Sequence, residues 1–303
     1  MDQPSIEIVE VSPRDGLQNE ATPFSTDEKV ALIEGCLGAG LRRIEVASFV
    51  NPARVPQMAD AEAVLARLSP AAFDGAIGLV LNERGLDRAL ATPLQEINYV
   101  VVVTETFSEK NQGTSVEENL AMAANVTRRA REAGLRTSIT VSAAFGCPYE
   151  GEVTPQQLYA IVNQVADLEP FEIAIADTIG VAVPRDVHER MQGVREIIGS
   201  RPIQLRCHFH NTRNTGLANA MAAVEEGVTV LDASLGGIGG CPFAPNATGN
   251  IPTEDLAYML SRSGYHLGVD FARLFEVVDL LSQKLPNPVP GLLTRAGMFP
   301  ALS

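Results

Sequence analysis

Eight short, β-rich apolar runs recur along this chain, separated by stretches with helical patterns, and that alternation restricts the fold more than any other feature. The runs are 6–12 (IEIVEVS), 43–48 (RIEVAS), 76–81 (AIGLVL), 97–103 (INYVVVV), 137–143 (TSITVSA), 172–177 (EIAIAD), 203–210 (IQLRCHFH) and 228–234 (VTVLDAS). Several are apolar on both faces, as strands must be when helices cover one side and a packed interior the other. The helical stretches carry start and stop signals. The stretch 27–37 follows Ser25 and Thr26 and ends before Gly38 and Gly40. The stretch 115–133 opens on Ser115 with Glu118 three residues on, a capping box, and Pro155 sits in the first turn of 154–168. A further helix is expected over 215–226. Eight strands alternating with about eight helices predict a closed (β/α)8 TIM barrel. A doubly wound open sheet is the alternative, but such sheets usually have fewer strands, and no GxGxxG follows the first run. After residue 245 the alternation stops. A loop over 246–251, helices over 252–263 and 271–284 and the tail LPNPVPG predict a helical C-terminal cap on a single catalytic domain spanning 1–303.

Composition excludes some partners. With 23 basic and 37 acidic residues the formal charge is −14, so nucleic acid and anionic membranes are not expected as partners. An anionic substrate would need locally concentrated basic groups. Cys36, Cys147, Cys207 and Cys241 form no CxxC, which suits free thiols in a reducing compartment. The opening MDQPSIEIVE has neither a basic n-region nor an apolar h-region, and no run of about 18 apolar residues occurs. A cytoplasmic protein is expected.

In a TIM barrel the chemistry sits at the C-terminal ends of the strands, and polar residues gather there. The first run ends in Ser12-Pro13-Arg14-Asp15-Gly16, the second carries Glu45 and Ser48, the sixth ends in Asp177-Thr178 and the seventh in His208-Phe209-His210. Residues two apart on a strand share a face, so two of the chain's four histidines stand together. Two readings fit: a metal site, or a hydrogen-bonded pair of barrel histidines. Asp15 is the natural third ligand, or a cap for the following segment. With imidazole and oxygen donors, Mg2+ or Mn2+ is the expected ion; Cys207 is adjacent, but alternation turns it to the opposite face. Arg14 could stabilise an enolate, pair with Glu45, or do both. The glycine-rich stretch 235–250 (LGGIGGCPFAPNATGN) suits a mobile lid whose Cys241 thiol could handle a proton, or a plain flexible loop. Cys147, in GCPYEG, reads as packing.

These motifs resemble those of the 3-hydroxy-3-methylglutaryl-CoA (HMG-CoA) lyase family, within the wider group of metal-dependent TIM-barrel lyases and synthases. The resemblance runs over nearly the whole chain through SPRDGLQNE (12–20), EVASFVNPARVPQMAD (45–60), GCPYEG (146–151), ADTIG (176–180), HFH (208–210) and GGIGGCPFAPNATGN (236–250). It implies a divalent metal held by Asp15, His208, His210 and Asn250, with Asp15 or His208 as base. It also implies that Arg14 stabilises a thioester enolate, that Cys241 protonates it, and that Glu45 and Asp177 belong to the polar site. The implied reaction is cleavage of HMG-CoA to acetyl-CoA and acetoacetate, a step of leucine degradation, by a homo-oligomer. Lys110 and Asn111 are candidate contacts for the acyl-CoA substrate. One departure stands out. Where the family commonly has H-x-H-D-T-Y-G, this chain has His208-Phe209-His210-Asn211-Thr212-Arg213-Asn214. A cation gained at Arg213 favours a bound carboxylate, and a citramalyl thioester, yielding acetyl-CoA and pyruvate, is the alternative substrate. A Claisen-type synthase is disfavoured by the Cys241 loop. A biotin-dependent carboxyltransferase is disfavoured because no expected strand contains lysine. A non-enzymatic binding protein is a third class, and predicts no metal requirement.

Overall fold

A computed structural model describes residues 3–240 and 249–300. Eight parallel strands close into a barrel: β1 (Glu7–Glu10), β2 (Arg43–Ser48), β3 (Ala76–Val80), β4 (Glu96–Val102), β5 (Arg136–Ser142), β8 (Glu172–Asp177), β9 (Gln204–Phe209) and β10 (Val230–Ala233). The two remaining strands, β6 (Gly146–Cys147) and β7 (Gly151–Glu152), form a small antiparallel hairpin outside the barrel. Closure comes from β1 pairing with β10, Glu7 to Ala233 in register, while its other edge meets β2. The expected TIM barrel is the fold observed.

The strands are shorter than the apolar runs at the site end. The first run was expected to continue through Ser12, but from Ser12 to Gly16 the chain winds into one wide π turn, because Pro13 has no N–H to give a sheet. The helices start where the capping signals stand. Ser25, Ser115 and Thr154 each close a capping box at the head of α1 (Thr26–Gly38), α5 (Val116–Glu132) and α6 (Pro155–Ala166). The short helices α2 (Ala61–Leu65) and α3 (Glu83–Leu90) connect β2 to β3 and β3 to β4, while α4 (Glu105–Gln112) and the β6–β7 hairpin sit in the loops after β4 and β5. Helices α7 (Pro184–Ile198), α8 (Gly216–Glu225), α9 (Thr253–Arg262) and α10 (Phe271–Lys284) follow, with α10 packed against α1 and a short α11 (Leu293–Ala296) against α9. The tail is tied down by Gly291 N–H to Gly236 O and by Leu292 and Leu293 N–H to the Asp255 carboxylate. No described helix is long and apolar enough to cross a membrane.

The barrel interior is only partly apolar. Val9, Val11, Ile77 and Val230 form a small plug. Beside it runs a buried ionic ladder: Arg43 bonds Glu172 at 3.0 and 3.1 Å and Glu96 at 2.6 Å, and Arg206 lies 3.2 Å from Glu172 and 3.4 Å from Asp232. Charges this deep are tolerated because each faces an opposite partner. The ladder rises from the floor of the barrel toward its C-terminal mouth.

Candidate active site

At that mouth the π turn delivers two neighbours in different roles. The Arg14 guanidinium donates to Glu45 Oε2 through Nε at 2.7 Å and through Nη2, and to Asp15 Oδ1 through Nη1 at 2.8 Å. Glu45 is itself held by Asn98 Nδ2 at 3.2 Å. The expected Glu45 pair is present, and it fixes a cation that lines the cavity. Burial opposes the charge, but Glu45 and Asp15 outweigh it and raise the Arg14 pKa. Burial likewise pushes the Asp15 carboxyl up, yet Arg14 and the two histidines hold it below its ordinary value.

His208 and His210 stand two residues apart with ring centroids 5.1 Å apart. Ligand atoms of Asp15, His208 and His210 all lie within 4.8 Å of one another. The two rings do not satisfy each other. His208 Nδ1 meets Asp232 Oδ2 at 3.0 Å. His210 is buried and its Nδ1 has no partner. Burial and the neighbouring His208 depress its pKa to about 3, so it is neutral, as a ligand must be. The segment around Asn250 runs antiparallel to the end of β9 and pairs Asn250 with His210. Asn250 Nδ2 donates to Asp15 Oδ2 at 2.8 Å and to Ile238 O at 3.1 Å, leaving Oδ1 buried and unpartnered. A carboxylate, two imidazoles and an orphaned amide oxygen converge here, and the orphans are what a cation would satisfy. The donor set fits a divalent ion.

Arg14, Asp15, His208 and His210 line a cavity of about 870 Å3. One wall carries Leu79, Leu81 and Val100; another carries Ser142 and Thr178; the rim carries Arg54, Lys110 and Asn111. The basic rim supplies the local positive charge that a chain of net charge −14 needs to attract an anion.

Comparison with known proteins decides the family. The HMGL-like family model matches residues 5–281. The chain belongs to the HMGL-like family. It is 39% identical to the (R)-citramalyl-CoA lyase of Chloroflexus aurantiacus, over 97% of this chain and 95% of that protein. It is also 39% identical to the mitochondrial hydroxymethylglutaryl-CoA lyase of Mus musculus, over 96% of this chain and 89% of that protein. The solved HMG-CoA lyase of Acinetobacter baumannii, in complex with coenzyme A and 3-methylmalate, superposes with a TM-score of 0.92 at 35% identity, covering 99% and 97% of the two chains. The protein is an enzyme of the carbon–carbon lyase class, in a family that depends on divalent metal.

The remaining expected site residues of this HMGL-like lyase are placed as follows. The carboxylate of Asp177 accepts the N–H groups of Val181 and Ala182 at 2.9 and 3.0 Å and does not line the cavity. Burial raises its pKa, against those two N–H bonds. Asp177 shapes the loop that carries Thr178. The Arg213 guanidinium donates to the carbonyls of Ile179 and Gly180 at 3.1 and 2.9 Å, and it too is not part of the cavity wall. Cys241 lies outside the described residues. Cys147 is buried, and its sulfur accepts from Thr104 Oγ1 at 3.1 Å, in keeping with a packing role. Asp232, Asn98 and the Ser142–Thr178 pair were not anticipated. Asp232 did show one signal, a carboxylate inside the apolar run VTVLDAS, but its partner becomes visible only when β10 and β9 are paired, Asp232 beside His208. Two more buried acids, Glu10 and Glu254, hold the start of the glycine-rich stretch through the N–H groups of Leu235 and Gly236, both at 3.0 Å.

Proposed function

We propose that this HMGL-like lyase cleaves HMG-CoA to acetyl-CoA and acetoacetate, with Mg2+ or Mn2+ as its ion. The observation that carries the reading is one constellation: Arg14 beside a cluster of Asp15, His208 and His210 in one cavity, with Asn250 bonded to Asp15, on a chain with the cysteine-bearing sequence 236–250. Those four residues would hold the ion, which when bound supplies the Lewis acidity that makes a tertiary alcohol acidic. Asp15 or His208 is assigned to take the hydroxyl proton. Loss of that proton drives cleavage of the adjacent carbon–carbon bond. Arg14, held rigid by Glu45, faces the negative charge that develops on the thioester oxygen. The Cys241 thiol is assigned the return of a proton to the enolate carbon. Lys110 and Asn111 at the rim are assigned to coenzyme A.

A second substrate, citramalyl-CoA, is favoured by the 39% identity to a protein of that activity. Arg213 no longer supports it, because that guanidinium is turned onto two backbone carbonyls. Acetyl-CoA release from each thioester, with Mg2+ and after chelation, tests the reading. We expect turnover of HMG-CoA that chelation abolishes and Mg2+ restores. Absence of turnover with any 3-hydroxyacyl-CoA would end the lyase assignment, and turnover of citramalyl-CoA alone would replace the substrate.

A further inference from the structure

Arg14 holds Glu45 by one oxygen only. An arginine and a carboxylate usually form two parallel bonds, one to each oxygen. Here Arg14 Nε and Nη2 both donate to Glu45 Oε2. The other oxygen, Oε1, accepts from Asn98 Nδ2 at 3.2 Å. Asn98 is fixed from behind in turn, because Thr140 Oγ1 donates to its Oδ1 at 3.0 Å. The directions along this chain are forced. A carboxylate only accepts, so the NH2 group of Asn98 must face Glu45, and its oxygen then faces Thr140, whose hydroxyl proton meets it. Glu45 and Asn98 are buried, which keeps water from competing. The four residues come from β5, β4, β2 and the turn after β1, so they form a belt around half of the barrel wall. Register shows how far the belt reaches. Glu45 is aligned with Ile77 and Asn98 with Leu79, both on the intervening β3.

We infer that Asn98, locked by Thr140, is a positioning residue for the lyase reaction: it keeps Glu45 from closing on Arg14 with both oxygens and so holds the guanidinium in the orientation that also spans Asp15. The inference rests on the lyase reading and adds to it two residues outside the proposed ligand and proton-transfer set. Without the Asn98 N–H, Oε1 is a buried carboxylate oxygen lacking a donor, which is costly. The Arg14 fork, already bonded to the same carboxylate, satisfies it by turning to the two-oxygen pairing. That turn draws Nη1 away from Asp15 Oδ1, which it meets at 2.8 Å. A misplacement of about 1 Å in a group that faces developing charge costs up to about 10²-fold in rate.

The test is acetyl-CoA release, with Mg2+, from the thioester that the wild type cleaves, resolved into kcat and KM. Asn98→Leu keeps the shape and removes the N–H. Its kcat should fall about 10- to 100-fold with KM within about twofold, because the orientation of Arg14 matters to charge that develops only in the transition state. Thr140→Val should cost about 2- to 10-fold in kcat, and Thr140→Ser, which keeps the hydroxyl, should stay within about twofold of the wild type. Thr140 acts through Asn98 alone, so the double variant Asn98→Leu/Thr140→Val should be no slower than Asn98→Leu. A general loss of packing would instead make the two costs multiply. The inference is overturned by an Asn98→Leu protein with wild-type kcat, by a loss confined to KM, or by multiplying costs in the double variant. Where Asn98→Leu does not fold, the Thr140 variants decide alone, and equal kcat for Thr140→Val and Thr140→Ser overturns it. Failure of the lyase reading itself looks different: no cleavage of any 3-hydroxyacyl-CoA by the wild type, which removes both.

Discussion

Replacing Asp232 by asparagine isolates the least conspicuous part of the proposed metal site. Asp232 Oδ2 lies 3.0 Å from His208 Nδ1, with the Asp232 side chain 7% and the His208 side chain 13% exposed. A carboxylate only accepts, so it holds the proton on Nδ1 and leaves Nε2 with its lone pair toward the cluster. Asparagine has nearly the same shape but presents either an acceptor or a donor. It no longer compels the tautomer, and it removes a negative charge 3.4 Å from Arg206. A hydrogen bond to a charged group is worth about 1.5–3 kcal/mol, and asparagine retains part of it as an acceptor. Loss of an outer partner of a ligating histidine typically lowers metal affinity about 10- to 100-fold, or roughly 1.4–2.7 kcal/mol. We expect Asp232→Asn to sit in the lower half of that range. The assay is Mn2+ titration of the substrate-free protein, followed by electron paramagnetic resonance, with thermal unfolding to verify the fold. A folded variant that binds Mn2+ within twofold of wild type would refute the argument that Asp232 orients His208.

Three further outcomes are expected. Arg14→Lys keeps a charge but loses the planar fork that spans Glu45 and Asp15, and kcat should fall about 10²- to 10³-fold in the acetyl-CoA release assay; a loss below tenfold would show that point charge suffices. Gly239 has φ +97°, and an added Cβ would lie 2.8 Å from Gly16 Cα and 2.9 Å from Asn250 Nδ2, so Gly239→Ala should weaken Mn2+ binding in the same titration even where it folds. Glu254 has its pKa raised from 4.5 to about 8, mainly by burial. The folded state therefore binds the extra proton across that window, and stability should fall by up to about 1.4 kcal/mol per pH unit from pH 4.5 to 8 as the unfolded state gives the proton up first. Glu254→Gln should flatten that part of the urea-unfolding profile; parallel profiles for the two proteins would contradict the assignment.

Much of the site was legible in the chain because local rules govern it. Two-residue alternation puts His208 and His210 on one face, and proline and glycine around Arg14-Asp15 predict a turn at a strand end. What resisted reading were residues whose meaning depends on a neighbour far away in the chain. Asp232 and Arg206 are polar residues inside apolar runs, and only strand pairing makes one a partner of His208 and the other a rung of a ladder. Asp177 and Arg213 carry the right chemistry at the right strand ends. Their side chains nevertheless turn to backbone groups of the 177–182 loop, because that loop has N–H and C=O groups to satisfy.

The amino-acid sequence by itself determined the barrel and which polar residues stand at the ends of its strands, since periodicity, capping and residue type are local properties. Only the tertiary structure decided which charges face one another and which remain unpaired. Closure of the sheet brings β1, β9 and β10 together, so that Asp15, His208 and Asp232 meet across more than two hundred residues of chain. Burial then sets the protonation of each group by its nearest neighbours, and no linear pattern specifies those.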